Sequence, residues 1–353
     1  MYKILYMRKT ITIYVVLIFI LLNGILAFGQ GKSQAFEISK NLDIYATLFK
    51  ELNNNYVEEI KPGELNTVAI EAMLQTLDPY TVFIPESKVE DVKYLTTGEY
   101  GGIGVNIVKR DGEILIYMIM AESPAFLSGL LAGDIIISID DQDLREKADD
   151  EISTLLKGQP GTSIRLLIKR TGIDDQFTKE VFRKKIDVDN IPYYGMLDSS
   201  IAYINLASFT KNAGKNVKKS FSELKENNPK GLIFDLRSNG GGLIGEAVEI
   251  MNVFVEKDQE VVRTKSRLRD KNFVYKTRNK ALDTTIPIVF LVDRNTASAS
   301  EILSGAAQDL DRAVIIGERT YGKGLVQNVL PLSFNSQFKV TIAKYYIPSG
   351  RCV

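Results

Sequence analysis

The sequence predicts an α/β protein: a core of parallel-type βαβ units, preceded by a β-rich module and a small helical N-terminal region. Three observations support this fold class. Apolar residues fall at helical spacing between residues 36 and 77, and short β-like runs with turn residues follow up to about residue 171. From residue 201 onwards, apolar strands alternate with helical segments, which is typical of a largely parallel sheet.

The domain boundaries follow these changes of pattern. We predict a helical region over residues 36–90, in which Lys61-Pro62-Gly63 separates two helices. The β-rich module is predicted over residues 96–172, and the α/β core over residues 173–353. Several predicted strands of the core lead through a turn into a helix, so polar residues in those turns are candidates for a functional site.

The first 29 residues are predicted to form an export segment. Lys3, Arg8 and Lys9 precede an apolar run over residues 11–28, and small residues stand before a plausible cut ahead of Gln30. The run of about 18 residues is close to the ~20 that a membrane-spanning helix needs. We therefore expect either a cleaved signal peptide or a membrane anchor through residues 11–28, and an extracytoplasmic location in the periplasm or cell envelope.

Composition excludes several kinds of chemistry. Lys plus Arg and Asp plus Glu both number 44, so no net charge attracts nucleic acid, and we expect no nucleic-acid partner. The chain has no His, and its one Cys is Cys352, which excludes a Ser-His-Asp triad and removes the usual zinc ligands. We expect no metal and no cofactor.

Ser298 is the first candidate catalytic residue. It lies in Asn295-Thr296-Ala297-Ser298-Ala299, just after a predicted strand and at the start of a predicted helix, where backbone N–H groups are free. There the N–H of Ala299 and the helix dipole could stabilise the oxyanion formed when a serine attacks a carbonyl. The alternative is that Ser298 and Glu301 are only a capping box.

Lys323 is the candidate base. Without His, a serine hydroxyl can be activated by a carboxylate or by a lysine that burial keeps neutral. The loop Thr320-Tyr321-Gly322-Lys323-Gly324 follows a predicted strand, which places Lys323 at the same end of the sheet as Ser298. Taken alone, a lysine in such a loop is more simply a solvated surface residue.

A third loop joins a strand to a helix at residues 236–243, with the sequence LRSNGGGL. Its glycines could supply a second oxyanion donor. The spacing Gly240-x-Gly242-x-x-Gly245, with Glu260 further on, also matches a dinucleotide-binding fingerprint. A dinucleotide-binding enzyme therefore stays as a minor alternative.

Four segments together resemble the C-terminal processing peptidases, or tail-specific proteases: TASASE, TYGKGLVQ, LRSNGGGL and YYIPSGR. The resemblance implies that Ser298, rather than Ser300, is the nucleophile and that Lys323 is the base. It also implies that Gln327 supports the lysine. The implied oxyanion donors are the N–H groups of Ala299 and of a glycine in the loop, Gly241 or Gly242.

The β-rich module resembles a PDZ domain. Its Tyr100-Gly101-Gly102-Ile103-Gly104-Val105 segment is similar to the PDZ carboxylate-binding loop and strand. The resemblance implies that this segment binds the C-terminal carboxylate of a peptide, which then pairs with the strand by β-augmentation. The implied substrate-binding residues are Gly101, Gly102, Ile103, Gly104 and Val105. On its own, a GGIG run equally predicts a tight turn before a strand.

The combined prediction is an exported serine endopeptidase that recognises proteins by accessible C-terminal tails and cleaves them through an acyl-enzyme. The family continues beyond the SGR segment, whereas this sequence stops at Val353, so the core is predicted to be truncated at its C-terminus. The main alternative is a non-catalytic exported PDZ scaffold derived from such a protease.

Overall fold

The structure is a computed structural model that describes residues 34–89, 92 and 97–353. The chain divides into two compact units between Met73 and Leu74. The predicted export segment, residues 1–29, lies outside the described residues. Among the residues described, none of the helices combines the length and the apolar character that crossing a bilayer would require.

The described part of the first unit contains two helices, in agreement with the predicted helical N-terminal region. Residues 34–55 form helix α1, and helix α2 (Pro62–Gln75) begins at a proline, whose fixed φ suits the first turn of a helix. Within this unit the Tyr45 hydroxyl donates to Asn66 Oδ1 at 2.9 Å, which joins the two helices.

The second unit begins with a short strand, β1 (Val82–Ile84), which the sequence pattern did not predict. A β-rich module follows over residues 97–187. Its main sheet is antiparallel, in the order β3-β4-β5-β7-β8 with β6 beside β5, and β2 pairs with β9 in a separate ribbon. The strands are β2 (Glu99–Gly102), β3 (Val105–Arg110), β4 (Glu113–Ile119), β5 (Ile135–Ile139), β6 (Gln142–Asp143), β7 (Ser163–Lys169), β8 (Phe177–Phe182) and β9 (Lys184–Asp187).

The module buries one face of this sheet under helix α4 (Asp149–Leu156) and the short helix α3 (Pro124–Leu127). Alternate residues of strand β7, Ile164, Leu166 and Ile168, are all buried in this core, as the period of a strand requires. Strand β8 completes the sheet although it lies beyond the predicted boundary at residue 172.

The α/β core contains a sheet in the order β10-β11-β12-β15-β16, in which β11, β12, β15 and β16 are parallel. Its central strands are short apolar runs, the pattern of a sheet covered on both faces. The predicted βαβ fold is thus confirmed. The elements are β10 (Tyr193–Met196), β11 (Ile201–Asn205), helix α5 (Ala213–Lys225), β12 (Gly231–Asp235), helix α6 (Ile244–Phe254), β15 (Ile288–Val292), helix α7 (Ala299–Asp309) and β16 (Val314–Gly317).

A second, antiparallel sheet flanks this core and supplies part of the site. Its order is β1-β18-β13-β14, and β17 also pairs with β18. Strands β13 and β14 of this sheet form an antiparallel hairpin. The strands are β13 (Glu260–Lys265), β14 (Val274–Lys276), β17 (Leu325–Pro331) and β18 (Gln337–Tyr346).

Candidate active site

Ser298 lies at the carboxyl end of β15, at the mouth of helix α7. The turn before it is held by the Asp293 carboxylate, which accepts the N–H groups of Asn295 and Thr296 at 2.9 Å each. Ser298 has φ 58° and ψ −116°, a backbone conformation that L-residues rarely adopt. Strain of this kind persists only where the surroundings impose it, and it is concentrated at functional sites.

Glu301 connects the two predicted catalytic residues. Its carboxylate is buried, with the residue only 2% exposed. Oxygen Oε2 accepts the N–H of Ser298 at 2.7 Å and the N–H of Lys323 at 2.9 Å, and Oε1 accepts the N–H of Gly322 at 2.6 Å. The carboxylate therefore has a second role besides accepting the Ser298 N–H of the capping box: it also holds the lysine turn beside the serine turn.

The Lys323 side chain is partly buried. Its Nζ lies 4.8 Å from the centroid of the Tyr80 ring. Burial lowers the pKa of Lys323, the positive charge of Lys339 lowers it further, and Asp78 and Glu301 oppose the shift. The amine is thus more easily neutral than an exposed lysine. Both catalytic candidates share Glu301 through their backbone N–H groups, and within the described residues Nζ makes no direct hydrogen bond to the Ser298 hydroxyl.

Tyr80 and Asp78 belong to this site although neither was among the predicted site residues. The Asp78 carboxylate accepts the N–H groups of Tyr80 and Thr81 at 2.8 Å each, which fixes the turn before β1. The N–H of Thr341 in β18 donates to Thr81 Oγ1 at 3.2 Å. The hydrogen bond with Tyr321 is the main cause that raises the pKa of Tyr80 to about 12, so its phenol stays neutral.

Gln327 lies in β17 opposite Thr341, beside a register shift between Val326 and Gln327. Its Nε2 atom is buried and has no hydrogen-bond partner among the described residues. A buried amide donor without a partner is costly, and a catalytic role is one reason for which such a group is retained. This position differs from that of the ordinary exposed strand residue that the sequence also allowed.

The glycine loop after β12 packs against the serine turn. Gly241 has φ 96°, and a Cβ there would lie 2.6 Å from the Ala297 carbonyl oxygen and 2.9 Å from Ser298 Cβ. Only glycine fits such an approach without displacing the serine turn. The Asn239 side chain connects the loop to strand β11: its Nδ2 donates to the carbonyl of Leu206, just after that strand, at 2.6 Å, and its Oδ1 accepts the Gly241 N–H at 2.9 Å.

The N–H groups near Ser298 differ in their availability. Those of Ala299 and Gly242 donate to no residue in the described part of the chain, whereas that of Gly241 donates to Asn239. The hydroxyl of Ser300, the other serine of the segment, is buried and donates to the Asn239 carbonyl at 2.9 Å. The Ser300 hydroxyl therefore binds the backbone of the glycine loop.

The dinucleotide fingerprint has a different physical explanation here. A Cβ on Gly242 would lie 2.5 Å from the Phe209 carbonyl oxygen, and Gly241 faces Ser298, so the chain itself occupies the space that these glycines leave. In the described residues there is also no group of three or more His, Cys, Asp or Glu side chains arranged to hold a metal ion. No observation favours the dinucleotide alternative.

The β-rich module contains a second loop with available N–H groups. The carbonyls of Ile103 and Gly104 accept the N–H groups of Ala125 and Met120 at 2.9 Å each, whereas the N–H groups of Ile103 and Gly104 donate to no described residue. Gly104 has φ 77°, and a Cβ on it would lie 2.4 Å from Ser123 Cβ. Glycine is therefore required at this position.

A groove of 480 Å³ runs from this loop between β3 and helix α4. Strand β3 is an edge strand, paired only with β4, so its other edge can pair with a peptide. Ile103, Gly104 and Val105 line the groove. Gly101 and Gly102 instead lie in the β2–β9 ribbon, where the Gly101 carbonyl accepts the N–H of Gly158 at 2.9 Å. These two glycines shape the loop and do not line the groove.

Comparisons with known proteins agree with this architecture. A model of the family described as Peptidase family S41 matches residues 200–353, and one described as PDZ domain matches residues 115–170. The chain is 32% identical to the carboxy-terminal-processing protease of Bartonella bacilliformis, with 89% of this chain and 73% of that protein aligned. It is 30% identical to the carboxy-terminal processing protease CtpB of Bacillus subtilis, with 90% of this chain and 66% of that protein aligned.

A solved structure shows the same arrangement of elements. The photosystem II D1 C-terminal processing protease is 27% identical, has a TM-score of 0.50, and aligns over 87% of this chain and 83% of its own. The similarity thus covers the β-rich module and the α/β core together.

Proposed function

Because this chain belongs to peptidase family S41, together with the carboxy-terminal processing proteases, we propose that it is an exported serine endopeptidase with Ser298 as nucleophile and Lys323 as general base. One observation carries this proposal most strongly: a single buried carboxylate oxygen of Glu301 accepts the backbone N–H groups of both residues. A helix cap alone does not require the second of these bonds.

The proposed reaction begins with proton transfer from the Ser298 hydroxyl to the neutral amine of Lys323. The Ser298 Oγ attacks the scissile carbonyl carbon, and the resulting oxyanion is held by the N–H of Ala299 and a second N–H. The intermediate collapses, the C–N bond breaks, and the Lys323 ammonium protonates the leaving amine. Lys323 then takes a proton from water, which hydrolyses the acyl-enzyme and regenerates Ser298.

The second oxyanion donor is assigned to Gly242 in preference to Gly241. Gly241 N–H already donates to the Asn239 side chain, whereas Gly242 N–H has no acceptor among the residues described. Gln327 is assigned a supporting role toward the Lys323 amine, because its buried Nε2 and carboxamide oxygen lie on the strand that begins just after the lysine turn.

The substrates are proposed to be proteins or peptides with accessible C-terminal tails. A tail would place its carboxylate on the N–H groups of Ile103 and Gly104 and extend the sheet along β3. Residues 1–29 would direct the protein to the periplasm or cell envelope, with or without anchoring through residues 11–28.

The test uses an unfolded protein with an apolar C-terminus as substrate and follows its cleavage by mass spectrometry. Ser298→Ala and Lys323→Ala are expected to abolish cleavage, because they remove the nucleophile and the base. Ser222→Ala and Lys280→Ala, on exposed side chains, are matched controls and should cleave like the wild type. Cleavage that persists in Ser298→Ala would refute the assignment of the nucleophile.

Acid quenching during turnover distinguishes the covalent route from a scaffold function. The wild type is expected to carry an acyl fragment of the substrate on Ser298, detected as a mass increase on the peptide that contains residues 295–301. A protein that binds tails but forms no such adduct and leaves the substrate intact would instead be the non-catalytic scaffold.

A further inference from the structure

Tyr345 is a buried residue at the end of β18 with no role in the mechanism above. Only 1% of its surface is exposed, and its ring packs in the core of the α/β domain. Its N–H donates to the Gly324 carbonyl at 3.1 Å, and its hydroxyl donates to the carbonyl of Lys323. Tyr345 therefore binds two consecutive carbonyl groups of the turn that carries the candidate base.

The Lys323 residue is consequently held at both of its peptide groups. The Glu301 carboxylate accepts its N–H at 2.9 Å, and the Tyr345 hydroxyl donates to its C=O. Burial raises the pKa of Tyr345, so the phenol stays neutral and donates to the Lys323 carbonyl.

The ring and the hydroxyl of Tyr345 have separable effects. The ring fills core volume, which any aromatic side chain of the same shape could do. The hydroxyl does not serve packing, and its loss would leave the Lys323 carbonyl without its donor in a buried place. A change that removes only the hydroxyl therefore isolates its effect on the lysine turn.

We propose that Tyr345 is a positioning residue whose hydroxyl fixes the Lys323 turn against Ser298 and thereby keeps the Lys323 amine in its buried position. This inference rests on the proposed function, in which Lys323 is the general base. Without the hydroxyl, the turn is free to move the amine toward water, where an ammonium ion is stabilised.

The charged and titratable groups around Lys323 come from four elements. They are Asp78 and Tyr80 before β1, Tyr321 in the lysine loop, Glu301 in α7 and Lys339 in β18. Cys352 faces Tyr345 from the C-terminal segment. None of them is altered when Tyr345 loses its hydroxyl, so a shift in the pH dependence would report the position of the lysine amine.

The test compares Tyr345→Phe with Tyr346→Phe, which removes the hydroxyl of the neighbouring tyrosine, whose ring instead lies 4.5 Å from Lys265 Nζ. For Tyr345→Phe we expect kcat near neutral pH to fall about tenfold, the equivalent of ~1.4 kcal/mol, with KM unchanged. The rising limb of kcat against pH should move to higher pH, so that the loss becomes smaller in alkaline buffer. Tyr346→Phe should keep the wild-type profile.

Two outcomes would overturn the inference. One is a Tyr345→Phe profile that matches Tyr346→Phe, and the other is a uniform decrease at every pH without a shift, which is the result of a purely structural role. Tyr345→Phe is interpreted only if it unfolds cooperatively. If it does not, Tyr345 is replaced by 4-fluorophenylalanine, which keeps the shape of the side chain but has no donor. Replacement by 3-fluorotyrosine restores the donor and should restore activity.

Ser298→Ala and Lys323→Ala are measured alongside. If both retain full cleavage, the proposed function fails and the role of Tyr345 fails with it. If both lose cleavage while Tyr345→Phe behaves like Tyr346→Phe, only the inference on Tyr345 fails.

Discussion

Two loops of this chain present backbone N–H groups that have no acceptor among the described residues, and they are held in different ways. In the β-rich module, the N–H groups of Ile103 and Gly104 open into a groove of 480 Å³ beside an edge strand. In the α/β core, the N–H groups of Ala299 and Gly242 lie in two turns that buried side chains hold by hydrogen bonds. Asn239 accepts the N–H of Gly241, and Glu301 accepts the N–H of Ser298.

The difference follows from the charge that each loop is proposed to meet. A peptide carboxylate carries its charge before it binds, so a groove that adapts to the peptide is sufficient. An oxyanion exists only during the reaction, and donors that must first reorganise contribute little to lowering its energy. The buried amide of Asn239 and the carboxylate of Glu301 hold the core turns through hydrogen bonds of 2.6 to 2.9 Å. The module loop instead receives a longer bond, from the buried Ser123 hydroxyl to the Gly104 carbonyl at 3.4 Å.

The largest effect is expected from Gly241→Ala. The new Cβ would stand 2.6 Å from the Ala297 carbonyl oxygen at a φ of 96°, which displaces the serine turn. The displacement would move the Ala299 N–H, one of the two proposed oxyanion donors. We therefore expect kcat to fall by about 10²- to 10³-fold, the cost of losing one such donor, for substrates with and without a free tail. Gly245→Ala, with nothing within 4 Å of its Cβ, is the control. Retained activity in Gly241→Ala would show that this loop tolerates movement.

Glu301→Gln tests how much of the rigidity comes from the buried carboxylate. The amide loses one acceptor oxygen and the charge that three N–H groups share. We expect kcat to fall and the free energy of unfolding to drop by roughly 1–3 kcal/mol, measured by urea denaturation. Glu249→Gln, on the exposed side of helix α6, should change neither quantity. A normal kcat in Glu301→Gln would show that catalysis does not depend on the hydrogen bonds by which this carboxylate holds the core turns.

Gly104→Ala should separate tail recognition from chemistry. Its Cβ would meet Ser123 Cβ at 2.4 Å and disturb the module loop only. We expect KM for substrates with a free apolar C-terminus to rise about tenfold, one lost charge-assisted contact, while kcat stays unchanged. Gly112→Ala, which has a φ of 79° and open space around it, is the matched control. An equal loss on a substrate with an amidated C-terminus would contradict the separation of the two loops.

The smallest effect concerns stability rather than rate. Because burial lowers the pKa of Lys323 below 10.5, the unfolded chain binds more protons than the folded one between the lowered pKa and 10.5. The free energy of unfolding of the wild type therefore contains a contribution that rises with pH across that window. Lys323→Met should be more stable than the wild type at neutral pH, with a difference that shrinks toward pH 10.5. Exposed Lys280→Met, unfolded in the same urea series, should show no such trend.

Much of the site is predictable from the sequence because it depends on local order. Strands followed by turns and helices indicate a parallel sheet, and parallel strands bring the turns at their carboxyl ends together. Local order alone therefore predicts that the segments of Ser298, Gly241 and Lys323 meet at one edge of the sheet. The groove residues Ile103, Gly104 and Val105 follow from one glycine-rich segment.

The rest depends on pairing between distant parts of the chain. Strand β1 pairs with β18 in the register Val82 with Lys339, and this brings Asp78 and Tyr80 to Lys323. Three residues of strand carry no periodic signal that separates them from a loop, so this pairing had no local indicator. The local sequence indicates only the capping role of Glu301. Its contacts with the lysine turn involve residues 21 and 22 positions further along the chain, which no local pattern predicts.

Strand β18 also sets the order in which the candidate active site can form during synthesis. It carries Tyr345 and pairs with β1, β13 and β17, so the site depends on segments near residue 80 and near residue 345. In a growing chain the site is not assembled until strand β18 has left the ribosome. Such long-range pairing is also the slow kind of folding step. An unfinished chain therefore lacks the contacts that Tyr345 makes with the Lys323 turn.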